Sequence, residues 1–159
     1  MMLHNNKPLK ILILISYFNR PILVRNALNS ILESDKKHKN WVAAFGDDGS
    51  EIPGEPIVRE ILKDHLDKIS FYNTNQTIEQ KIKNGITIGK IANHILSNTN
   101  ADICITLCDD DELEKDYLWN LNRYFLKNKE VKYCWSNIHL YNPFYESSSN
   151  VNNLTGVYN

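Results

Sequence analysis

The run Lys10 to Ile15 (KILILI) is nearly continuous in isoleucine and leucine. A strand with one wet face alternates apolar and polar residues. A run without alternation belongs to a strand buried on both faces, the setting of a parallel sheet. The same kind of run returns at Trp41 to Phe45, Ile69 to Tyr72, Ile103 to Leu107 and Val131 to Trp135. Between them the apolar period lengthens to that of a helix. Leu23, Ala27, Leu28, Ile31 and Leu32 share one helical face after Pro21, which can open a helix because its missing N–H costs nothing there. Val58, Ile61, Leu62 and Leu66 follow Pro56, and Ile88, Ile91, Ala92, Ile95 and Leu96 make a third helical stripe. Leu113, Tyr117, Leu118, Leu121, Tyr124 and Phe125 make a fourth. Asn73 to Asn84 has no clear period and reads as a loop, and the polar text after Pro143 reads as a loop or frayed tail. Strand and helix in alternation predict βαβ units: an α/β fold with a mostly parallel sheet and helices on both faces.

Length and charge narrow the class. The chain has 159 residues, the size of one domain, with 42% hydrophobic and 23% charged residues, as in a globular protein. Eighteen Lys and Arg against nineteen Asp and Glu leave a formal charge of −1. Without a cationic surplus, a general nucleic-acid binder is not expected, because such a protein needs a basic face to displace counterions. No apolar run reaches the roughly 18 residues of a transmembrane segment. Met1 to Lys10 lacks the apolar core of a secretion signal. Cys104, Cys108 and Cys134 are odd in number and form no CxxC. They read as reduced cysteines of a cytoplasmic protein rather than as a zinc site.

In parallel sheets ligands bind at the carboxyl ends of the strands. There the chain places Ser16-Tyr17-Phe18-Asn19-Arg20, then Asp47-Asp48-Gly49-Ser50, then Asp109-Asp110-Asp111-Glu112. No GxGxxG, GxxxxGK[ST] or GxSxG is present, so the glycine cradles of dinucleotide and P-loop sites and the hydrolase elbow are missing. Three adjacent aspartates repel one another unless something positive is close. A hard divalent cation, Mn²⁺ or Mg²⁺, would relieve that repulsion. The competing reading is an acidic helix N-terminus, favoured by the macrodipole. Asp-Asp-Gly-Ser is in the first instance a turn, yet its carboxylates can also accept from a nucleobase imide or from ribose hydroxyls. Two acidic segments after two strands favour the ligand-binding readings of both.

These blocks resemble the nucleotide-binding half of a family 2 glycosyltransferase. Leu14 to Pro21 is similar to the family's opening strand and "TYNR" segment, Phe45 to Ser50 to its "DDGS" turn, and Ile105 to Asp111 to its "DxD" block. Gly89 to Asn93 resembles the helix before that block. The resemblance covers about Leu9 to Tyr145. It implies the GT-A (Rossmann-like) nucleotide-diphospho-sugar transferase architecture, short of the C-terminal acceptor half. Residues 1–8 would be a tail, 9–145 the nucleotide-sugar-binding domain and 146–159 a polar segment. It also implies roles. Ser16 and Phe18 line the nucleobase pocket, and Arg20 belongs to the same segment. Asp48 binds the base imide and Asp47 supports the turn or the ribose. Asp109 lies near the ribose, Asp110 is the metal ligand and Asp111 a second one. Lys83 or Lys81 reaches the phosphates, against a plain reading of both as surface lysines. The implied partner is a nucleotide-diphosphate sugar, with UDP the expected carrier, and the implied reaction is inverting glycosyl transfer to an acceptor hydroxyl.

Two departures stand out: Cys108 replaces an aspartate common in the family, and Gly46 replaces an apolar residue. The resemblance assigns no catalytic base. Asp116 and Glu146 are available carboxylates that nothing singles out, and His139 reads as a packing residue. The alternative function is a truncated or non-catalytic nucleotide-sugar-binding module. A receiver-type signalling domain would need an acidic pair where Ser16-Tyr17-Phe18 stands. A structural α/β domain with an acidic rim is the remaining rival.

Overall fold

The structure, a computed structural model, describes residues 7–84, 88–134 and 157–158. The chain divides into two compact units, Met1–Asn122 and Arg123–Asn159. In the first unit β1 (Ile11–Tyr17), β2 (Trp41–Asp47), β3 (Ile69–Asn73) and β4 (Ile103–Cys108) form one sheet in the order β3-β2-β1-β4. All neighbours are parallel. The first strand is therefore central, with β2 on one side and β4 on the other. This reversal of strand order opens a crevice at the carboxyl ends.

Both faces of β1 are covered, as KILILI predicts. Ile11, Ile13 and Ile15 pack in one core with Val24, Ala27, Leu28 and Ile31 of α1 (Leu23–Asp35) and with Ile57 and Val58 of α2 (Glu55–Ile61). Leu12 and Leu14 pack on the other face with Ala44 and with Ile91 and Ile95 of α4 (Ile88–Asn98). Each fully buried Ile or Leu contributes about 1.5–3 kcal/mol, so the central strand anchors both layers. Gly46 has a reason in this packing. A Cβ there would lie 2.6 Å from Cγ2 of Ile91, so an apolar residue at this place would force the Ile91 side chain to shift against the sheet. The Val24 N–H donates to the Arg20 carbonyl, so the first turn of α1 reaches back to Pro21, and Pro56 lies in the first turn of α2. After Ile61 the chain tightens into a 3-10 helix, Lys63–Lys68, with a break at His65.

Asp35, at the end of α1, is buried at the foot of the sheet. It accepts from Nε1 of Trp41 at 2.6 Å and from Nζ of Lys39 at 2.6 Å. Burial alone would raise its pKa. The two hydrogen bonds and the charges of Lys39 and Lys68 outweigh burial and hold it below the usual carboxylate value.

Three expectations need correction. Asn73 to Asn84 is not loop throughout: Ile78–Asn84 forms a helix, α3. Its start is a reciprocal cap, in which the Thr77 N–H donates to Oε1 of Gln80 and the Gln80 N–H donates to Oγ1 of Thr77. The fourth expected helix starts later than its apolar period suggests, at Tyr117 (α5, Tyr117–Lys127). Leu113 packs on the core ahead of it, its N–H held by Oγ of Ser30 at 2.9 Å. In the second unit the described part of the fifth strand is short, β5 (Tyr133–Cys134), and Trp135 lies outside the described residues. It pairs antiparallel with β6 (Val157–Tyr158), so these two residues are strand rather than frayed tail.

Candidate functional site

Register brings the three segments together. Tyr17 sits opposite Asp47 of β2, and Ser16 opposite Cys108 of β4. Phe18, Asp48 and Asp109 each come one step beyond. The Asp48 N–H donates to the Tyr17 carbonyl at 3.0 Å, and the Phe18 N–H donates to Oδ2 of Asp109 at 2.9 Å. Ser16, half-buried, lies beneath this level on β1.

The turn after β2 is built by its first aspartate. Asp47 is buried; its Oδ1 accepts from the Ser50 N–H at 2.8 Å and its Oδ2 from the Gly54 N–H at 3.1 Å. Both oxygens are engaged by backbone, so Asp47 supports the turn. Gly49 has φ +69°, and a Cβ there would meet the Gln76 carbonyl oxygen at 2.4 Å. Conformation and close approach both require glycine. Asn19 braces the turn from the β1 side. It adopts φ +52°, its N–H donates to Oγ of Ser50, and its Oδ1 accepts from the Glu51 and Ile52 N–H groups. Sequence reasoning missed this role. Asparagine's tolerance of the left-handed region was the available signal.

Asp48 is the outward member of the pair. Its Oδ1 accepts from the Thr74 hydroxyl at 3.2 Å, and its Oδ2 lies 3.3 Å from Nζ of Lys81 on α3. The same ammonium stands 3.6 Å from the centroid of the Phe18 ring. Lys83, the lysine expected at the phosphates, is exposed on α3; Lys81 is the one turned to Phe18 and Asp48. Beside them an open cleft of about 610 Å³ is lined by Phe18, Asn19, Gly49, Ser50, Asn75 and Gln76 among others.

The acidic run after β4 is a turn, not a helix N-terminus: the Asp111 N–H donates to the Cys108 carbonyl at 3.1 Å, and α5 begins only at Tyr117. Asp109 is buried. Besides the Phe18 N–H it accepts from Nη1 of Arg20 at 3.1 Å. The same nitrogen pairs with Oδ2 of Asp110, which is exposed. Asp109 first and Asp110 second raise the pKa of Arg20. Ligand atoms of Cys108, Asp110 and Asp111 lie within 4.8 Å of one another, all on exposed residues. Two carboxylates at this separation suit a hard divalent cation, while the thiol does not. Burial, then the charges of Asp47 and Asp109, raise the pKa of Tyr17, whose hydroxyl donates to the Ile52 carbonyl at 2.8 Å.

Other expected residues lie elsewhere. Asp116 is paired with Lys37, just past the end of α1, at the opposite end of the sheet from the turns. Glu146 and His139 lie outside the described residues. All three cysteines are free thiols, and no described helix is long and apolar enough to cross a membrane.

No protein-family model matches the sequence, and no curated protein matches it. Solved structures do. Over 76% of the chain, the structure matches S. aureus TarS 1-349 in complex with UDP, with TM-score 0.62, 16% identity and 33% of that chain covered. It matches the mannosyltransferase PcManGT from Pyrobaculum calidifontis, in complex with GDP-Man and Mn²⁺, with TM-score 0.60, 17% identity and 33% of that chain. S. aureus TarS in a longer form matches with TM-score 0.59 and 16% identity, over 20% of its length. The chain thus spans a third or less of the length of these proteins. At such identities the likeness is one of fold, and the fold of this chain is the α/β architecture of a partial GT-A domain.

Proposed function

We propose that the chain binds a nucleotide-diphosphate sugar and serves as the donor-binding part of a glycosyltransferase of family 2 type. One observation carries the reading. An aromatic ring (Phe18), a carboxylate (Asp48) and a carboxylate pair (Asp110, Asp111) meet at the carboxyl ends of three adjacent parallel strands. A nucleobase needs a stacking face and an acceptor for its imide N–H, which Phe18 and Asp48 offer. A diphosphate needs positive charge beside it.

Asp110 and Asp111 would hold Mn²⁺ or Mg²⁺, whose charge offsets that developing on the leaving diphosphate. Arg20, already beside Asp110, adds a second positive group at the same place. Asp47 and Asp109 keep the two turns in register, and Ser16 lies under the base pocket. Transfer with inversion would follow when an acceptor hydroxyl, relieved of its proton by a general base, attacks the anomeric carbon from the face opposite the diphosphate. The base is not assigned. UDP is the expected carrier, and the solved relatives bound to UDP and to GDP-Man support a nucleoside diphosphate in general.

A thermal-shift panel of UDP, GDP, dTDP and CMP, with and without Mn²⁺, tests this. A ligand at a hundred times its Kd stabilises by about 2.7 kcal/mol, or several degrees for a domain of this size. The expected result is a metal-dependent shift, largest with UDP. No shift with any nucleotide overturns the reading. Release of UDP from a UDP-sugar separates a transferase from a binding module, because a module binds without turnover.

A further inference from the structure

Lys81 is an unusual lysine. Its side chain is 15% exposed and its Nζ is inaccessible to solvent, yet the nitrogen has no hydrogen-bond partner. Two attractions hold it: the Oδ2 of Asp48 at 3.3 Å and the face of Phe18 at 3.6 Å. Among the described residues three buried side-chain polar atoms lack hydrogen bonds. One of them, Oε1 of Gln76, belongs to a residue lining the cleft, and Nζ of Lys81 belongs to a residue two positions beyond the last lining residue, Glu79. An ammonium wants three acceptors and strong hydration, so burying it with none fully satisfied is costly.

The position of this cation matters more than its cost. A ring stacked on Phe18 would need the space directly over the ring face. An imide N–H donated to Asp48 would need the carboxylate edge now facing Lys81. The ammonium stands over one face of the Phe18 ring and beside Oδ2 of Asp48 at once.

We infer that Lys81 is a built-in occupant of the base site, a cation supplied by the chain itself where a nucleobase stacks, and that donor binding requires it to leave. This rests on the reading of Phe18 and Asp48 as the base-binding pair. The plug keeps the Asp48 carboxylate neutralised in the empty site. It also sets a threshold: a ligand must offer both a flat π face and an N–H donor to replace what Lys81 provides. On leaving, the ammonium regains its hydration, which lowers the cost of exchange. A four-carbon stem on a seven-residue helix can swing clear without unfolding the sheet.

The test is calorimetric titration of the wild type, Lys81→Met and Lys81→Gln with UDP, GDP and dTDP in Mn²⁺. Each is measured at low salt and at about 1 M salt, where screening over about 3 Å removes the general attraction of a lysine for phosphate. Met keeps the length of the stem, and Gln covers the case in which Met misfolds. A cation–π contact and a largely shielded ion pair together correspond to about a fivefold effect. The expected result is that the variants bind the preferred nucleotide about fivefold tighter than the wild type at high salt. Equal or weaker binding by folded variants, with the wild type still binding, overturns the plug and leaves the donor reading standing. No binding by any of the proteins overturns both.

Discussion

The two acidic turns, Asp47–Ser50 and Asp109–Asp111, are built on one plan and end in different chemistry. In each, the first aspartate is buried and bonded to backbone N–H groups, Ser50 and Gly54 in one turn and Phe18 in the other. In each, the next aspartate faces outward and meets a cation on another element, Lys81 or Arg20. The surroundings then diverge. Asp48 shares its cation with the face of Phe18, a ring that also lines the open cleft, which suits an organic ring. Asp110 stands exposed beside Asp111 and Cys108, which suits an ion. A doubled aspartate is therefore two residues in two settings: the inner one shapes the turn and the outer one faces a cation from another element.

The largest expected effect breaks the inner pair. Asp47→Ala leaves the Ser50 and Gly54 N–H groups without their acceptor, one of them in a buried setting, and the cost is about 3 kcal/mol. Asp109→Ala should cost less, about 1–2 kcal/mol, because it frees one partly buried N–H, that of Phe18. Denaturant unfolding measures both. A loss of nucleotide binding with stability intact would mean that these residues are ligand contacts after all. The outer pair should behave in the opposite way. Asp110→Asn, exposed and unburied, is expected to leave stability within about 0.5 kcal/mol. It should also weaken metal-dependent nucleotide binding by tenfold or more, read as loss of the Mn²⁺-dependent thermal shift. Unchanged nucleotide affinity in that variant would remove Asp110 from the metal.

A third buried carboxylate, remote from both turns, supplies the control and the smallest effect. Asp35 has a lowered pKa, so the stability it contributes is fully present above the ordinary carboxylate pKa and is lost as pH falls through its lower folded value. Between about pH 5 and pH 3, around the reference pKa of about 3.9, the wild type should lose more in Tm than Asp35→Asn. Equal losses would mean that the hydrogen bonds from Trp41 and Lys39 do not depend on the charge.

Much of this plan was legible in the residues. The central strand read as an isoleucine- and leucine-rich run because β1 is buried on both faces, while β4 alternates buried or half-buried residues with exposed ones and is covered less completely. The acidic segments were legible as sites because they directly follow strands. Read from the residues alone, neither doubled aspartate told which member turns inward; only the resemblance assigned Asp47 to the turn and Asp48 outward, and it placed Asp109 at the ribose. Which member turns inward depends on turn geometry, set partly by Asn19 from another strand end. The helix α3 escaped because it buries no apolar stripe: Ile78 and Ile82 are 56% and 80% exposed. Its only mark was the Thr77–Gln80 cap, and so the lysine it delivers was read as Lys83 as readily as Lys81. The pairing of Val157–Tyr158 with Tyr133–Cys134 joins segments far apart in sequence and leaves no local pattern.

The three residues Phe18, Asn19 and Arg20 touch both turns. Asn19 is bonded to Ser50, Glu51 and Ile52, while Phe18 and Arg20 are bonded to Asp109 and Arg20 also to Asp110. On the donor-binding reading such a strap offers a route for coupling its two ends, and any coupling is reciprocal by thermodynamic necessity. If a cation at the Asp110 end tightens nucleotide binding at the Asp48 end by some factor, the nucleotide tightens cation binding by the same factor. On that reading base and metal would bind cooperatively, with the strand end after β1 as the contact between the two turns.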